Sequence, residues 1–152
     1  MDDVAVLADS KGGNTAKIAR AIAEELGVAP APTGPPVPGA GLLIIGSGTY
    51  SNHTPGNDMM RFIRDGYFSG RRVALFGTAS YENDGNSMIG IMADALEQKG
   101  AEIVSTAGGR GRLFVLRNGR VHPDDLGGAR AFARELAGKI PGGPAMTDPA
   151  HG

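Results

Sequence analysis

Residues 4–26 constrain the fold of this chain more than any other stretch. Val4 to Ala8 is an apolar run of strand length, and Asp9-Ser10-Lys11-Gly12-Gly13 follows as a short polar loop. From Asn14 to Leu26 the apolar residues Ile18, Ala19, Ile22, Ala23 and Leu26 recur on one face at helical spacing, and Gly27 stands where a helix would be capped. A strand running through a glycine turn directly into a helix makes an anion site. The first N–H groups of a helix lack partners and carry partial positive charge. Gly12 and Gly13 let that backbone approach a ligand closely. Ser10 and Thr15 add hydroxyls and Asn14 adds an amide, so a phosphate fits. The glycine-rich ATP-loop spacing G-x-x-x-x-G-K-[ST] and the dinucleotide fingerprint G-x-G-x-x-G are both absent. The structural alternative is a turn that merely caps the helix, with Asn14 or Ser10 as the cap.

The remaining chain alternates strands and helices. Strands are expected at Leu42–Gly46, fully apolar as a central parallel strand is, and at Arg72–Gly77, the next central strand. Helices are expected at 57–64, 86–99 and 124–136. Residues 101–105 and 113–116 read as two pieces of a last strand. A short edge strand is expected at 28–31, followed by an extended loop, because the prolines between 30 and 38 remove ladder donors. This alternation predicts an α/β doubly wound parallel five-stranded sheet with helices on both faces. Residues 1–140 form one domain in this reading, and 141–152, rich in Pro and Gly, form a mobile tail. The chain has 152 residues, a net charge of −1 and no cysteine. Disulfides, thiolate catalysis and iron–sulfur ligation within the chain are therefore excluded. Nothing in the charge argues for nucleic acid or an anionic membrane. No apolar run approaches a membrane span, and the acidic start Met1-Asp2-Asp3 is unlike a signal peptide, so a cytoplasmic location is expected.

Ligands of such sheets bind at the carboxyl ends of strands, near the switch in strand order. Three loops rich in small polar residues lie there: Asp9–Thr15, Ser47–Asn57 and Thr78–Asn86. The second and third each carry a Gly-Thr step and a tyrosine, so Tyr50 and Tyr81, two of the three tyrosines in a chain without tryptophan, flank the expected pocket. An aromatic face there stacks on a flat ring system.

The loop Ser10-Lys11-Gly12-Gly13-Asn14-Thr15 resembles the flavodoxin phosphate loop [ST]-x-[ST]-G-x-T, with Gly12 in place of a hydroxyl residue. Gly48-Thr49-Tyr50 with Met60-Arg61-Phe62-Ile63, Arg72–Thr78, and Gly119-Arg120-Val121-His122-Pro123-Asp124 resemble later segments of the same family in order and spacing. The resemblance implies a flavodoxin-like sheet of order 2-1-3-4-5 and bound flavin mononucleotide (FMN). It implies cofactor contacts from Ser10, Lys11, Gly12, Gly13, Asn14 and Thr15, from Thr49, Tyr50, Ser51 and Asn52, and from Thr78, Ala79, Ser80, Tyr81, Asp84 and Gly85. It implies an electron carrier that docks transiently on redox partner proteins, with no catalytic residue and no metal. A backbone carbonyl at Ser51 or Asn52 would face flavin N5, and Asn52 tolerates the positive φ such a loop needs. With only Asp58, Glu82 and Asp84 acidic near the loops, a less reducing second couple is expected than in a strongly acidic flavodoxin. His53 is either a protonatable ring-edge neighbour or an exposed loop residue. Gly108–Arg112 is either a basic contact for an acidic partner or a solvated loop. The alternatives are an FMN-dependent NAD(P)H:quinone or small-acceptor reductase, an accessory flavoprotein of one dedicated enzyme, and a receiver-like module without flavin. The last lacks the Asp it would need around Gly46-Ser47-Gly48. The oligomeric state is left open.

Overall fold

A computed structural model describes residues 3–104 and 110–140. Its elements run β1 (Val4–Asp9), α1 (Asn14–Leu26), β2 (Leu42–Gly48), α2 (Asn57–Asp65), β3 (Arg72–Ala79), α3 (Glu82–Gln98), β4 (Glu102–Ile103), β5 (Arg112–Val115) and α4 (Pro123–Ala137). The expected tail at 141–152 and residues 105–109 lie outside the described residues.

The sheet is parallel throughout. β1 pairs with β2 and β2 with β3. The last strand comes in two pieces, as its sequence suggests. β4 lies beside the start of β3 (Arg72 opposite Glu102), and β5 lies beside its end (Phe76 opposite Arg112). The expected edge strand at 28–31 is reduced to one bridge, Leu7 to Ala31, in which the Ala31 N–H donates to the Val6 carbonyl at 2.8 Å. Pro30 and Pro32 flank Ala31, and among the described residues no second bridge to β1 forms on either side of it. With this segment counted as the second strand, the order is 2-1-3-4-5.

Side-chain alternation along the strands sorts the core into two layers. Val4, Val6, Leu42, Ile44, Ala74 and Phe76 face α1 and α4, where they meet Ile18, Ile22, Phe132 and Leu136. Ala5, Leu7, Leu43, Ile45, Val73 and Leu75 face α2 and α3, where they meet Met59, Phe62, Met88, Met92 and Leu96. Every residue of β2 is buried, as a strand covered on both faces requires. Both ends of α1 fall as predicted because glycines mark them. Gly13 precedes the helix at φ 87°, and Gly27 ends it at φ 73° with its N–H turned back to Ala23 and Glu24.

α3 is the largest departure. It starts at Glu82, four residues before the expected Asn86, from an extended Tyr81 at φ −131°. Glu82 and Asp84 lie in its first turn, where acidic side chains complement the positive helix end. Asp84 and Gly85 are therefore helical rather than part of a loop.

Candidate functional site

The turn between β1 and α1 leaves its donors open. The first helical bond runs from the Lys17 N–H to the Gly13 carbonyl at 3.1 Å, so the N–H groups before it have no partner within the helix. No side chain caps α1 and no acidic residue occupies its first turn. The capping alternative for Ser10 and Asn14 thus fails. The Asn14 amide instead donates to the Gly119 carbonyl at 3.0 Å, tying the turn to the β5–α4 connection. The space in front of Gly12 and Gly13 is open: a Cβ on either would meet nothing within 4 Å. Beside them the Ser10 hydroxyl is buried with no hydrogen-bond partner among the described residues. Leaving such a group unsatisfied costs roughly 1–3 kcal/mol. An orphaned donor beside free helix N–H groups suits the oxygens of a phosphate.

The threonines form a brace around this turn. Thr15 Oγ1 and Thr78 Oγ1 lie 2.8 Å apart, both buried, and Thr49 Oγ1 donates to the Thr78 carbonyl at 2.9 Å. The three loops are thereby held to one another through side chains far apart in sequence. Asp9 and Ser47 extend the brace, and sequence reasoning gave neither a role. The buried Asp9 carboxylate accepts the Met59 N–H at 2.9 Å at the start of α2. Ser47 Oγ accepts the Gly56 N–H at 2.9 Å and donates to the Gly48 carbonyl at 2.8 Å. Gly56 packs directly against the Asp9 carboxylate, so a Cβ there would collide with it. The only signal in the sequence is the position of each polar residue at the end of an apolar strand.

In the second loop Tyr50 turns toward the first. Its hydroxyl accepts the Lys11 N–H at 3.0 Å, and the Lys11 ammonium sits 5.0 Å from its ring centroid. After Tyr50 the chain makes a single 3-10 turn at Ser51–His53, closed by the Thr54 hydroxyl donating to the Ser51 carbonyl at 2.7 Å. Asn52 occupies the left-handed region at φ 60°, the conformation its residue type tolerates, and His53 follows at φ 59°. His53 is exposed, and its Nε2 lies 3.1 Å from Asp84 Oδ1.

In the third loop Tyr81 is 70% exposed. Gly85 does not face the cleft: it is buried where a Cβ would strike Leu113, so it serves the packing of α3 on β5. Of the sixteen residues expected to hold a cofactor, Ser10, Gly12, Asn14, Thr15, Thr49, Tyr50, Thr78, Ala79 and Ser80 line one cleft of about 150 Å³, together with Gly48 and Leu116. Lys11, Gly13, Ser51, Asn52, Tyr81, Asp84 and Gly85 are not among its lining residues. This volume is below that of a typical whole-ligand pocket. It suits the anchoring end of a larger ligand.

A larger cleft, about 450 Å³, runs between α2 and the proline-rich segment and is lined by Pro35, Pro36, Val37, Phe62 and Tyr67 among others. Its charged groups are already engaged: Arg61 with Asp58, Asp65 with Arg64, and Arg71 with the Pro38 and Ala40 carbonyls. The Arg64 hydrogen bond holds the Asp65 carboxyl below its ordinary range. In the segment read as a possible basic contact, the Arg110 guanidinium is bound by Asp94 and Glu97. The Asp94 hydrogen bond, the larger cause, raises its pKa. Arg112 lies 5.4 Å over the Phe114 ring.

No protein-family model matches the sequence, and no curated protein matches it. Solved structures do. A flavodoxin, WrbA-like protein from Agrobacterium tumefaciens superimposes with a TM-score of 0.73 at 18% identity, over 91% of this chain and 98% of that one. The chain has the flavodoxin fold. Oxidised flavodoxin 2 from Bacillus cereus gives a TM-score of 0.73 at 22% identity, over 90% of this chain and 99% of that one. A flavodoxin from Fusobacterium nucleatum, solved bound to flavin mononucleotide, gives 0.67 at 16% identity, over 93% of this chain and all of that one. At these identities the likeness establishes the flavodoxin fold and its topology. Among the described residues, no helix is long and apolar enough to cross a membrane.

Proposed function

We propose that this chain binds FMN and carries electrons between redox partner proteins, docking on them transiently in the cytoplasm. The observation that carries the reading is the orphaned Ser10 hydroxyl beside the uncapped start of α1, at the carboxyl end of the sheet. The flavodoxin fold supports it, since in this fold the carboxyl ends of the strands face the ligand crevice. When bound, the cofactor supplies the one- and two-electron chemistry.

The chain's own residues would then divide the work. Ser10 and the N–H groups of Gly12 to Thr15 hold the phosphate. Thr15, Thr49 and Thr78 fix the loops that carry these donors. Asn52, already at positive φ, gives the second loop a backbone that can present a carbonyl to the ring edge without strain. The test is the visible spectrum of the purified protein before and after FMN is added, followed by stepwise anaerobic reduction. A flavin spectrum reduced in two separated one-electron steps supports the carrier. Direct two-electron reduction by NAD(P)H would replace it with a reductase. Absence of flavin binding at high added FMN would refute the assignment.

A further inference from the structure

We propose that the turn between β5 and α4, with the start of α1 beside it, is a docking surface for an acidic redox partner protein. This rests on the electron-carrier reading above, which leaves the partner's chemistry open. Arg117 and Arg120 face each other across a two-residue turn. The Arg120 N–H donates to the Arg117 carbonyl at 3.1 Å, and Asn118 and Gly119 between them stand at φ 54° and 69°. Asn-Gly suits such a turn because both residues tolerate positive φ. Residues directly opposite one another carry their side chains close together, and two like charges so placed repel. The turn is also fixed in place: the Asn14 amide donates to the Gly119 carbonyl at 3.0 Å, and the His122 ring nitrogen lies 3.1 Å from the Arg117 carbonyl. Both arginines are exposed. Arg117 has one carboxylate in reach, Asp124 at 3.7 Å, itself 91% exposed, and Arg120 has none within 4 Å among the described residues.

Two lysines extend the charge. Lys17 stands one turn beyond Asn14 on the same face of α1, and Lys11 precedes the helix. Both are exposed, and neither has a carboxylate within 4 Å among the described residues. Farther along the same two helices the pattern is different: Arg130 and Arg134 of α4 are matched by Glu24 and Glu25 of α1. Charge is thus neutralised within the molecule at one end and left largely unmatched at the end beside the cleft. The adjoining residues place this surface at the site: Val115 is 40% exposed, Leu116 lines the cleft, and Arg117 follows. Elsewhere at the carboxyl end of the sheet, Glu82 and Asp84 occupy the first turn of α3. A face with a basic and an acidic flank sets a partner's orientation as well as its sign. Four cations interrupted by Asp124 and Asp125, in a chain of net charge −1, are too few for a nucleic-acid backbone. They match a patch of carboxylates on a protein, with Val115 adding apolar contact. Arg110, by contrast, is already bound by Asp94 and Glu97 and has no such role.

The test uses a plant-type ferredoxin as the acidic probe and cytochrome c as the basic one. Binding is read first on the purified apoprotein, by calorimetry and by carbodiimide cross-linking, which joins a partner's carboxylates to lysine amines. Ferredoxin is expected to link at Lys11 and Lys17, and the link is expected to vanish at about 0.5 M salt, where exposed charges are screened. Arg117→Glu combined with Arg120→Glu is expected to weaken ferredoxin binding at least about tenfold at low salt, with an unchanged melting temperature. Arg117→Lys combined with Arg120→Lys keeps the charge and should stay within about twofold of the parent, as should Glu82→Gln on the other flank. On the FMN-loaded protein, the rate at which reduced ferredoxin passes one electron to the oxidised flavin should fall as far as binding does. Ferredoxin binding that is unchanged in the Glu variants, or no tighter than that of cytochrome c at low salt, would overturn the proposal. Protection of Lys11 and Lys17 from acetylation by NADPH but not by ferredoxin would make the flank a site for nucleotide phosphates and would also overturn it. A parent that links ferredoxin at these lysines yet binds no FMN would support the surface and break the electron-carrier reading alone.

Discussion

The cleft along α2 encloses about 450 Å³ and the cleft at the β1–α1 turn about 150 Å³, yet the smaller one carries the functional argument. The large cleft is walled by Pro35, Pro36, Val37 and Phe62, and its ion pairs close on themselves. The small cleft has a buried hydroxyl without a partner and a helix start without a cap. Volume measures how loosely two walls meet. Unsatisfied polar groups measure what a site still needs, because folding leaves few buried donors unpaired unless something else pairs them.

The strongest way to break this comparison is to put a charge in the small cleft. Gly12→Asp is expected to lower FMN affinity at least about a hundredfold, since a carboxylate a few ångströms from a phosphate is repelled by several kcal/mol. Its thermal midpoint should stay that of the parent, because the position opens on empty space. Equilibrium dialysis and a melting curve on the same sample check both halves.

Ser10→Ala sharpens the comparison by giving opposite signs to affinity and stability. FMN binding should weaken about tenfold, while the apoprotein gains about 1 kcal/mol, because an unsatisfied buried hydroxyl is removed. Urea denaturation of the apoprotein would read the gain; a loss of stability would mean the hydroxyl has a partner after all.

Changes in the large cleft should be quiet. Tyr67→Ala, at a side chain 77% exposed, is expected to leave FMN affinity within about twofold and stability within about 0.5 kcal/mol. A large loss of flavin binding there would reverse the roles of the two clefts. Smallest of all is Asp65→Asn. The Arg64 hydrogen bond holds the Asp65 carboxyl low, so its contribution to stability is complete above the ordinary carboxylate range and fades as pH falls through the lowered value. The variant should be marginally less stable than the parent at neutral pH and match it once acid has protonated the carboxyl in both folded and unfolded chains, as paired urea curves would show.

Much of this molecule was legible before any coordinates. The β1–α1 unit could be bounded because glycine marks both ends of the helix, and the two-piece last strand could be seen because a glycine- and arginine-rich stretch interrupts it. The start of α3 could not. Asn83, Asp84, Gly85 and Asn86 are poor helix formers and read as loop. In the fold Gly85 sits where a Cβ would strike Leu113, so the glycine lets this turn of the helix pack on β5, a contact invisible in local sequence. The site shows the same division. Its three loops were legible from composition, since each follows an apolar strand. Which hydroxyls are spent on structure and which remain free was not. Thr15 pairs with Thr78, a residue 63 positions away, while Ser10 has no partner among the described residues.

The single bridge at Ala31 has a consequence for how the molecule behaves among its copies. Along an extended segment, successive N–H groups point to opposite sides. The N–H of Ala31 points inward to Val6, so those of residues 30 and 32 would point outward, and both residues are proline. A strand from another molecule arriving at this margin finds no donors at those two positions. These prolines thus finish the border of the sheet, and the chain is guarded there against edge-to-edge growth into aggregates.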